Sequence, residues 1–495
     1  MVRTQDISGG LFAALFPGAS RDDVFATMQH ALSGLQHRGQ DGLGWVFLDV
    51  EGRYETFTGR GQVSQWMSED ARLSPRASSP TDHALKERIV AVVATTQQLQ
   101  KTIPHTHQQS PFLETLSSGE KLIWAWNGHM VVDLAKWWED SSGTLPERLK
   151  DLPGAFALIG LWKDTLFLMR DAHGVKPLFY GWLNDKVLVA SETSVLTHLG
   201  ADRIETVRPG ELVTLNLSFN DQGKRFFPQR LPLVGVPSPQ LCAFEAIYYS
   251  RTDAKLYEKS VYALRKRMGE KLAEAYVPEA DVVIGVPDSG TAAAIGYAQK
   301  SGYPLEMGLV KNRYVGRTFI QTTQAARERG VRQKLSVIEE VVRDRRVILV
   351  DDSIVRGTTA RWNVELLKDA GAREVHLRIS APPVRAACPF DLLGTTEAEL
   401  FFTSVHLKTR ERHPLAEHFF ADVPSEAVLR SLAASLGADS LYYLPISDFK
   451  DVLQSGYCMA CFYRQRPEVS NIEQRSDHLT QSIAPSVQQE APHHV

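Results

Sequence analysis

The chain is 495 residues long, with 55 Lys and Arg against 58 Asp and Glu, a net charge of −3. That length allows two or more domains with sizeable cores, and the near-neutral balance gives no electrostatic footprint for nucleic acid. No apolar run is long enough to span a bilayer. Met1 to Gly10 lacks the basic-then-apolar pattern of a secretory signal, so the expected class is a cytoplasmic enzyme. Four cysteines, Cys242, Cys388, Cys458 and Cys461, are too few for a secreted disulfide scaffold.

Taken in order, residues 1 to about 215 alternate short apolar runs with turns. Ile89 to Val93, Lys121 to Trp126, Ala155 to Trp162, Thr165 to Met169 and Lys186 to Ala190 read as strands, and Arg21 to Leu35 as a helix. This predicts an α+β domain with substantial sheet. In Gln36-His37-Arg38-Gly39-Gln40, His37 and Arg38 suit a turn or a domain contact, and Asn127 reads as a turn residue. Leu215 to Gln240, with Pro228, Pro232, Pro237 and Pro239, reads as a crossing segment. The expected division is 1–235, 236–466 and a disordered tail, 467–495, rich in Gln, Ser, His and Pro.

In the second half, Ala254 to Tyr276 carries apolar residues at helical spacing. Val282 to Val286 is a buried strand ending in Pro287-Asp288-Ser289-Gly290, with a helix pattern, Thr291 to Lys300, directly behind it. Small residues there let backbone amides approach a pyrophosphate, and a Ser hydroxyl can ligate Mg²⁺. Lys311-Asn312-Arg313-Tyr314-Val315-Gly316-Arg317 sets three cations around a Gly hinge, a composition suited to a flap over a polyanion. Val347-Ile348-Leu349-Val350 then predicts a strand buried on both faces of a parallel sheet. It runs into Asp351-Asp352-Ser353-Ile354-Val355-Arg356-Gly357-Thr358-Thr359 and a helix-compatible run, Ala360 to Gly371. Backbone N–H groups of such a loop, with a helix N-terminus behind them, cradle a phosphate. Paired Asp side chains accept from two sugar hydroxyls or hold Mg²⁺. Phosphate, diol and metal together describe a phosphoribosyl donor. Glu374 to Ser380 is a further buried strand. In Tyr457-Cys458-Met459-Ala460-Cys461-Phe462, two close thiols join Cys242 and Cys388 as a set for either tetrahedral zinc or a cubane Fe–S cluster.

On these residues the chain resembles the iron–sulfur branch of the amidophosphoribosyltransferase family. Asp351 to Thr359 looks like the phosphoribosylpyrophosphate (PRPP) motif of type I phosphoribosyltransferases, and Lys311 to Gln321 like the family's flap. Gln36 to Gln40 and Asn127-Gly128 look like parts of its N-terminal-nucleophile (Ntn) glutaminase domain. The resemblance implies an α/β protein: an Ntn-hydrolase-like α+β (αββα) domain, then a type I phosphoribosyltransferase parallel-sheet domain. It implies PRPP binding by Asp351, Asp352, Ser353, Arg356, Gly357, Thr358 and Thr359, with Asp288, Ser289 and Gly290 at the pyrophosphate. Ser289, Asp351 and Asp352 would hold Mg²⁺, and Lys311, Arg313 and Arg317 would neutralise the departing charge. Cys242, Cys388, Cys458 and Cys461 would hold a structural [4Fe–4S] cluster. It further implies a homotetramer and purine nucleotides as inhibitors.

One departure is in the flap, where the family's next residue, a Pro, is Thr322; the others concern the first domain. The family's nucleophile is a Cys followed by Gly and two apolar residues. Gly10-Leu11-Phe12-Ala13 fits the followers and puts Gly9 in the thiol's place, and the first cysteine of the chain is Cys242. The family's clamping Arg has no counterpart in Ala91 to Gln98. Asn127 and Gly128 remain as the oxyanion pair. The expected reaction is therefore 5-phosphoribosylamine formation, in de novo purine biosynthesis, from PRPP and ammonia rather than glutamine. Two other readings stay open: a non-catalytic regulator or scaffold that binds PRPP or purine nucleotides, and a glutaminase acting through Ser8 as a freed N-terminus.

Overall fold

The computed structural model describes residues 5–66, 88–98, 110–217, 226–233, 239–312, 335–390, 392–410 and 421–463. Arg313, Arg317 and the 467–495 tail lie outside these.

The first domain stacks helix, sheet, sheet and helix, and the alternation of its first strand, Gln5–Ser20, shows why. Leu11, Ala13 and Leu15 take one face and Phe12, Ala14 and Phe16 the other, and all six are buried. The first set packs with Ile123, Ala125, Ala157 and Ile159 of the facing sheet. The second packs against Val24, Met28 and Leu32 of the Arg21–Leu35 helix, whose expected start is fixed by the Ser20 hydroxyl accepting from Asp23 N–H. Outside the other sheet, Trp124, Trp126 and Phe167 are covered by Leu134, Trp138 and Leu149 from two short helices. Gln5–Ser20 belongs to both sheets. From Ser8 onward it pairs with Arg88–Gln98, whereas Gln5, Asp6 and Ile7 pair with Met130, His129 and Gly128.

The second domain is built on a four-stranded parallel sheet in the order Val282–Gly285, Arg346–Asp351, Glu374–Ile379, Ser440–Tyr443. Val347 to Val350 are fully buried because helices cover both faces. Ile348 and Val350 pack with Met268 and Tyr297, and Val347 and Leu349 with Val364, Leu367 and Leu432. The central strand therefore opens only at its C-terminal end, where Asp351 and Asp352 stand.

Three local expectations change. The helix expected from Ala254 starts at Val261, because Lys255–Leu256 and Lys259–Ser260 form a hairpin turned by Tyr257 and Glu258 at positive φ. The crossing segment is partly structured: Gln229–Pro232 adds an edge strand to Glu211–Asn216, an edge being where a strand tolerates proline. Asn127 and Gly128 lie inside the strand Lys121–Met130 rather than in a turn.

Candidate active site

Asp351 and Asp352 are 7% and 5% exposed. Asp351 Oδ1 accepts from Asp352 N–H at 2.8 Å, and Asp352 receives the Ser353 and Ser289 hydroxyls. Burial, then the neighbouring Asp352 charge, pushes the Asp351 carboxyl well above its ordinary range. Burial raises Asp352 as well, opposed by its serine donors and by the charge of Arg265. Two buried acids of like charge make a site that gains from a cation or from hydroxyl donors.

Two glycines open space around this pair. A Cβ on Gly290 would sit 2.5 Å from the Val350 carbonyl oxygen and 3.1 Å from Asp351 Cα, so the loop carrying Ser289 lies directly on the end of the central strand. Gly357 has φ +78° and precedes the Thr358–Asp369 helix; a Cβ there would meet the Phe401 ring at 2.6 Å. The turn at Gly357 leaves the first N–H groups of that helix without a side-chain cap, the arrangement that receives an anion. Arg356 is engaged elsewhere, donating to Gly394 O at 2.7 Å. Lys311 Nζ reaches Asp288 Oδ2 at 2.9 Å, with both side chains about half exposed or more. Such a solvent-exposed pair is worth little and exchanges readily.

The thiols converge from three separate stretches. Cys242 and Cys458 stand opposite each other in a short parallel ladder, and Cys388 receives the Cys461 thiol. That bond, helped by the Phe390 and Leu392 backbone N–H groups, brings Cys388 down to about 7 against its burial, whereas burial raises Cys458 to about 11. Four soft donors in two pairs are the kind of set that holds zinc or an Fe–S cluster. Among the described residues no group of three or more His, Cys, Asp or Glu side chains is placed to hold a metal ion.

In the first domain, Gly9 is paired with Gln97, and a Cβ there would lie 1.9 Å from the Thr96 carbonyl oxygen. Gly10 N–H is bound by Thr96 Oγ1 and Leu11 N–H by Ser191 Oγ. Ile7 faces Gly128 across the ladder. Asn127 is 1% exposed, and its Oδ1 has no partner among the described residues. Ser8 stands within this strand, opposite Gln98.

Sequence reasoning missed a buried charge layer between the domains. Arg38 bonds Glu192 at 2.5 Å and Glu245 at 2.7 Å, and Lys176 bonds Glu245 at 3.1 Å. Burial alone would lower Arg38, but Glu245 and Glu192 leave it above its ordinary value. The likeness of Gln36 to Gln40 to a family motif pointed to Arg38, and its expected role as a domain contact holds. Glu192, Glu245 and Lys176 carry no local sequence signal.

A profile of the glutamine amidotransferase domain matches residues 129–198, and one of the phosphoribosyl transferase domain matches residues 255–387. The amidophosphoribosyltransferase of Bacillus subtilis is 34% identical over 475 residues, 88% of this chain and 90% of that one. That of Synechococcus elongatus is 32% identical over 92% and 91% of the two chains. The solved glutamine PRPP amidotransferase from B. subtilis, complexed with ADP and GMP, superposes with a TM-score of 0.75 and 31% identity, over 92% of this chain and 97% of that one. Matched along nearly the whole length of these enzymes and carrying both of their domain types, the chain belongs to the amidophosphoribosyltransferase family of glycosyltransferases.

Proposed function

We propose that this chain makes 5-phosphoribosylamine and pyrophosphate from PRPP and ammonia, in de novo purine biosynthesis. The observation that carries the reading is the buried Asp351–Asp352 pair at the mouth of the parallel sheet, flanked by the Gly290 and Gly357 loops. Asp351 and Asp352 accept from neighbouring ribose hydroxyls. The loop from Ser353 to Thr359 takes the 5-phosphate on its backbone N–H groups, and Asp288, Ser289 and Gly290 line the pyrophosphate. Lys311 exchanges Asp288 for a phosphate oxygen; Arg313 and Arg317 are assigned the same task. Mg²⁺, held by Ser289, Asp351 and Asp352, would neutralise charge on the departing pyrophosphate. The ammonia lone pair forms the C1–N bond as the C1–O bond to pyrophosphate breaks, and the proton shed goes to solvent. No protein atom becomes covalently linked, so positioning and electrostatics supply the rate. Gly290→Ala is expected to lower kcat/KM for PRPP about 100-fold, since the backbone its Cβ meets has no side-chain freedom to yield; steady-state kinetics checks this.

Ammonia is the nitrogen source in this reading because no cysteine precedes Cys242. Gly9 stands in the thiol's place, and Gln5, Asp6 and Ile7 pair along the strand edge that carries Gly128. Putting a thiol back is expected to fail. Gly9→Cys, made in a chain lacking residues 1–8, should give no glutamine-dependent product, because its Cβ meets the Thr96 carbonyl. A [4Fe–4S] cluster on Cys242, Cys388, Cys458 and Cys461 would cross-link three stretches of the second domain, a structural task in a reducing, cytoplasmic setting. A homotetramer inhibited by purine nucleotides completes the proposal.

The test is pyrophosphate release from PRPP and Mg²⁺ by anaerobically purified protein, with ammonium chloride and glutamine compared side by side. Release with ammonium only is expected. Release with glutamine would overturn the reading of the first domain and point to Ser8. Silence with both would replace the transferase by a regulator that binds PRPP.

A further inference from the structure

A domain that has lost its nucleophile would be expected to drift away from its neighbour, yet here the two share one core. A single apolar cluster runs from Phe12, Val24 and Leu188 to Cys242, Phe244 and Phe462. Polar contacts concentrate on one stretch, residues 240–255, which begins at a thiol of the second domain. His173 O accepts from Gln240 N–H at 2.8 Å, and Val175 O from Cys242 N–H at 3.0 Å. Lys176 and Arg38 bind Glu245, three residues after the thiol. Arg38 also reaches Ser250 Oγ, Glu192 takes Arg251 N–H at 3.1 Å, and Thr193 Oγ1 takes Lys255 N–H at 2.8 Å. The turn that supplies His173, Val175 and Lys176 is itself preorganised. Asp171 accepts from the N–H groups of His173 and Val175, and Arg170 donates to the carbonyls of Gly174, Lys176 and Val207.

We propose that the first domain is retained as a clamp whose task is to position Cys242, with the buried Arg38–Glu192–Glu245–Lys176 group as its fastening. The charges fit this use. Two buried cations and two buried anions balance within the layer, with the partly exposed His37 against Glu192 at its rim, and removing one of the four strands its partner in a medium that solvates it poorly. Glu245 sits in a tight π-helical turn, Glu245–Tyr249. On the far side Arg265 fixes the carbonyls of Ala246 and Ser250. The stretch is thus gripped from both domains, and its N-terminal end carries the thiol. Arg38 and Lys176 are positioning residues: they act on Cys242 through Glu245 and the backbone.

The inference rests on the four-thiol site and not on the transfer reaction, and its test needs no turnover. In the full-length chain, reduced and treated with chelator, alkylation of each cysteine by iodoacetamide is followed peptide by peptide. Cys242 is 8% exposed, so its alkylation reports local opening. Arg38→Met is expected to speed Cys242 alkylation about tenfold. The charge-balanced Arg38→Met/Glu245→Gln is expected to return it to within about threefold of the parent. Lys176→Met, which keeps Arg38 on Glu245, is expected to give a smaller rise and serves if Arg38→Met does not fold. Glu205→Gln is the control. It breaks a network with Tyr180, Arg203 and Arg230 in the first domain and should leave Cys242 protected. Equal protection in Arg38→Met and the parent, or equal exposure in Glu205→Gln, would overturn the clamp.

Discussion

Asp351→Asn is expected to reduce PRPP turnover by about a thousandfold while leaving the ligand-free chain as stable as the parent or up to about 2 kcal/mol more stable. The two effects share one cause. Asn keeps the Oδ1 that accepts Asp352 N–H, so the local geometry has no reason to shift. It removes one of two buried like charges, which the ligand-free protein bears at a cost and which metal and ribose hydroxyls would relieve. Burial raises the folded carboxyl above its unfolded value, so the folded state holds this proton more tightly than the unfolded one. Parent stability therefore falls as pH rises from the ordinary carboxylate range through the raised folded value. The stability gap in favour of Asn should be widest near neutral pH and close as pH falls towards the ordinary Asp value of 3.8. Urea unfolding at several pH values, beside pyrophosphate release, measures both. Turnover within tenfold of the parent would remove Asp351 from the site.

That this site stands out in the sequence follows from its local construction. Four aliphatics in a row specify a strand buried on both faces, and Asp351 and Asp352 need only lie at its end to be placed. Arg21–Leu35 was equally legible, since its cap, Ser20, adjoins its apolar stripe. Elements fixed by distant contacts were not legible. The apolar spacing from Ala254 says nothing of a hairpin in which Tyr257 and Glu258 adopt positive φ, residue types that seldom do so. Asn127-Gly128 has turn composition but lies in a strand flanked by Gln5–Ser20 and Gly154–Trp162. The charge layer is the extreme case. Arg38 and Glu245 are 207 residues apart, and Lys176 and Glu245 are 69 apart, so no window of sequence contains the pair.

That layer also gives the second large effect. Glu245→Gln is expected to destabilise the chain by about 3–5 kcal/mol at neutral pH, because it leaves buried Arg38 with Glu192 and buried Lys176 with no carboxylate partner among the described residues. The electrostatics point the same way. Burial would raise Glu245, yet Arg38 and Lys176 hold it at about 2 against an ordinary value of 4.5, equivalent to about 3 kcal/mol of stabilisation. Since the folded value is depressed, that contribution is complete above the unfolded value and is lost as pH falls from about 4.5 towards about 2. Parent and variant should thus differ by a constant amount from neutral pH down to about 5.5 and draw together below it. Gln cannot titrate, so only the parent changes. Unfolding monitored at pH 7, 5.5 and 4 separates this from loss of shape alone, which would leave the gap independent of pH. Because the layer lies between the domains, the variant should also split one unfolding transition into two, with the first domain's sheets and the parallel sheet melting apart. A single transition with an undiminished gap at pH 4 would mean that Glu245 contributes through packing, and that the charges do not fasten the two domains together.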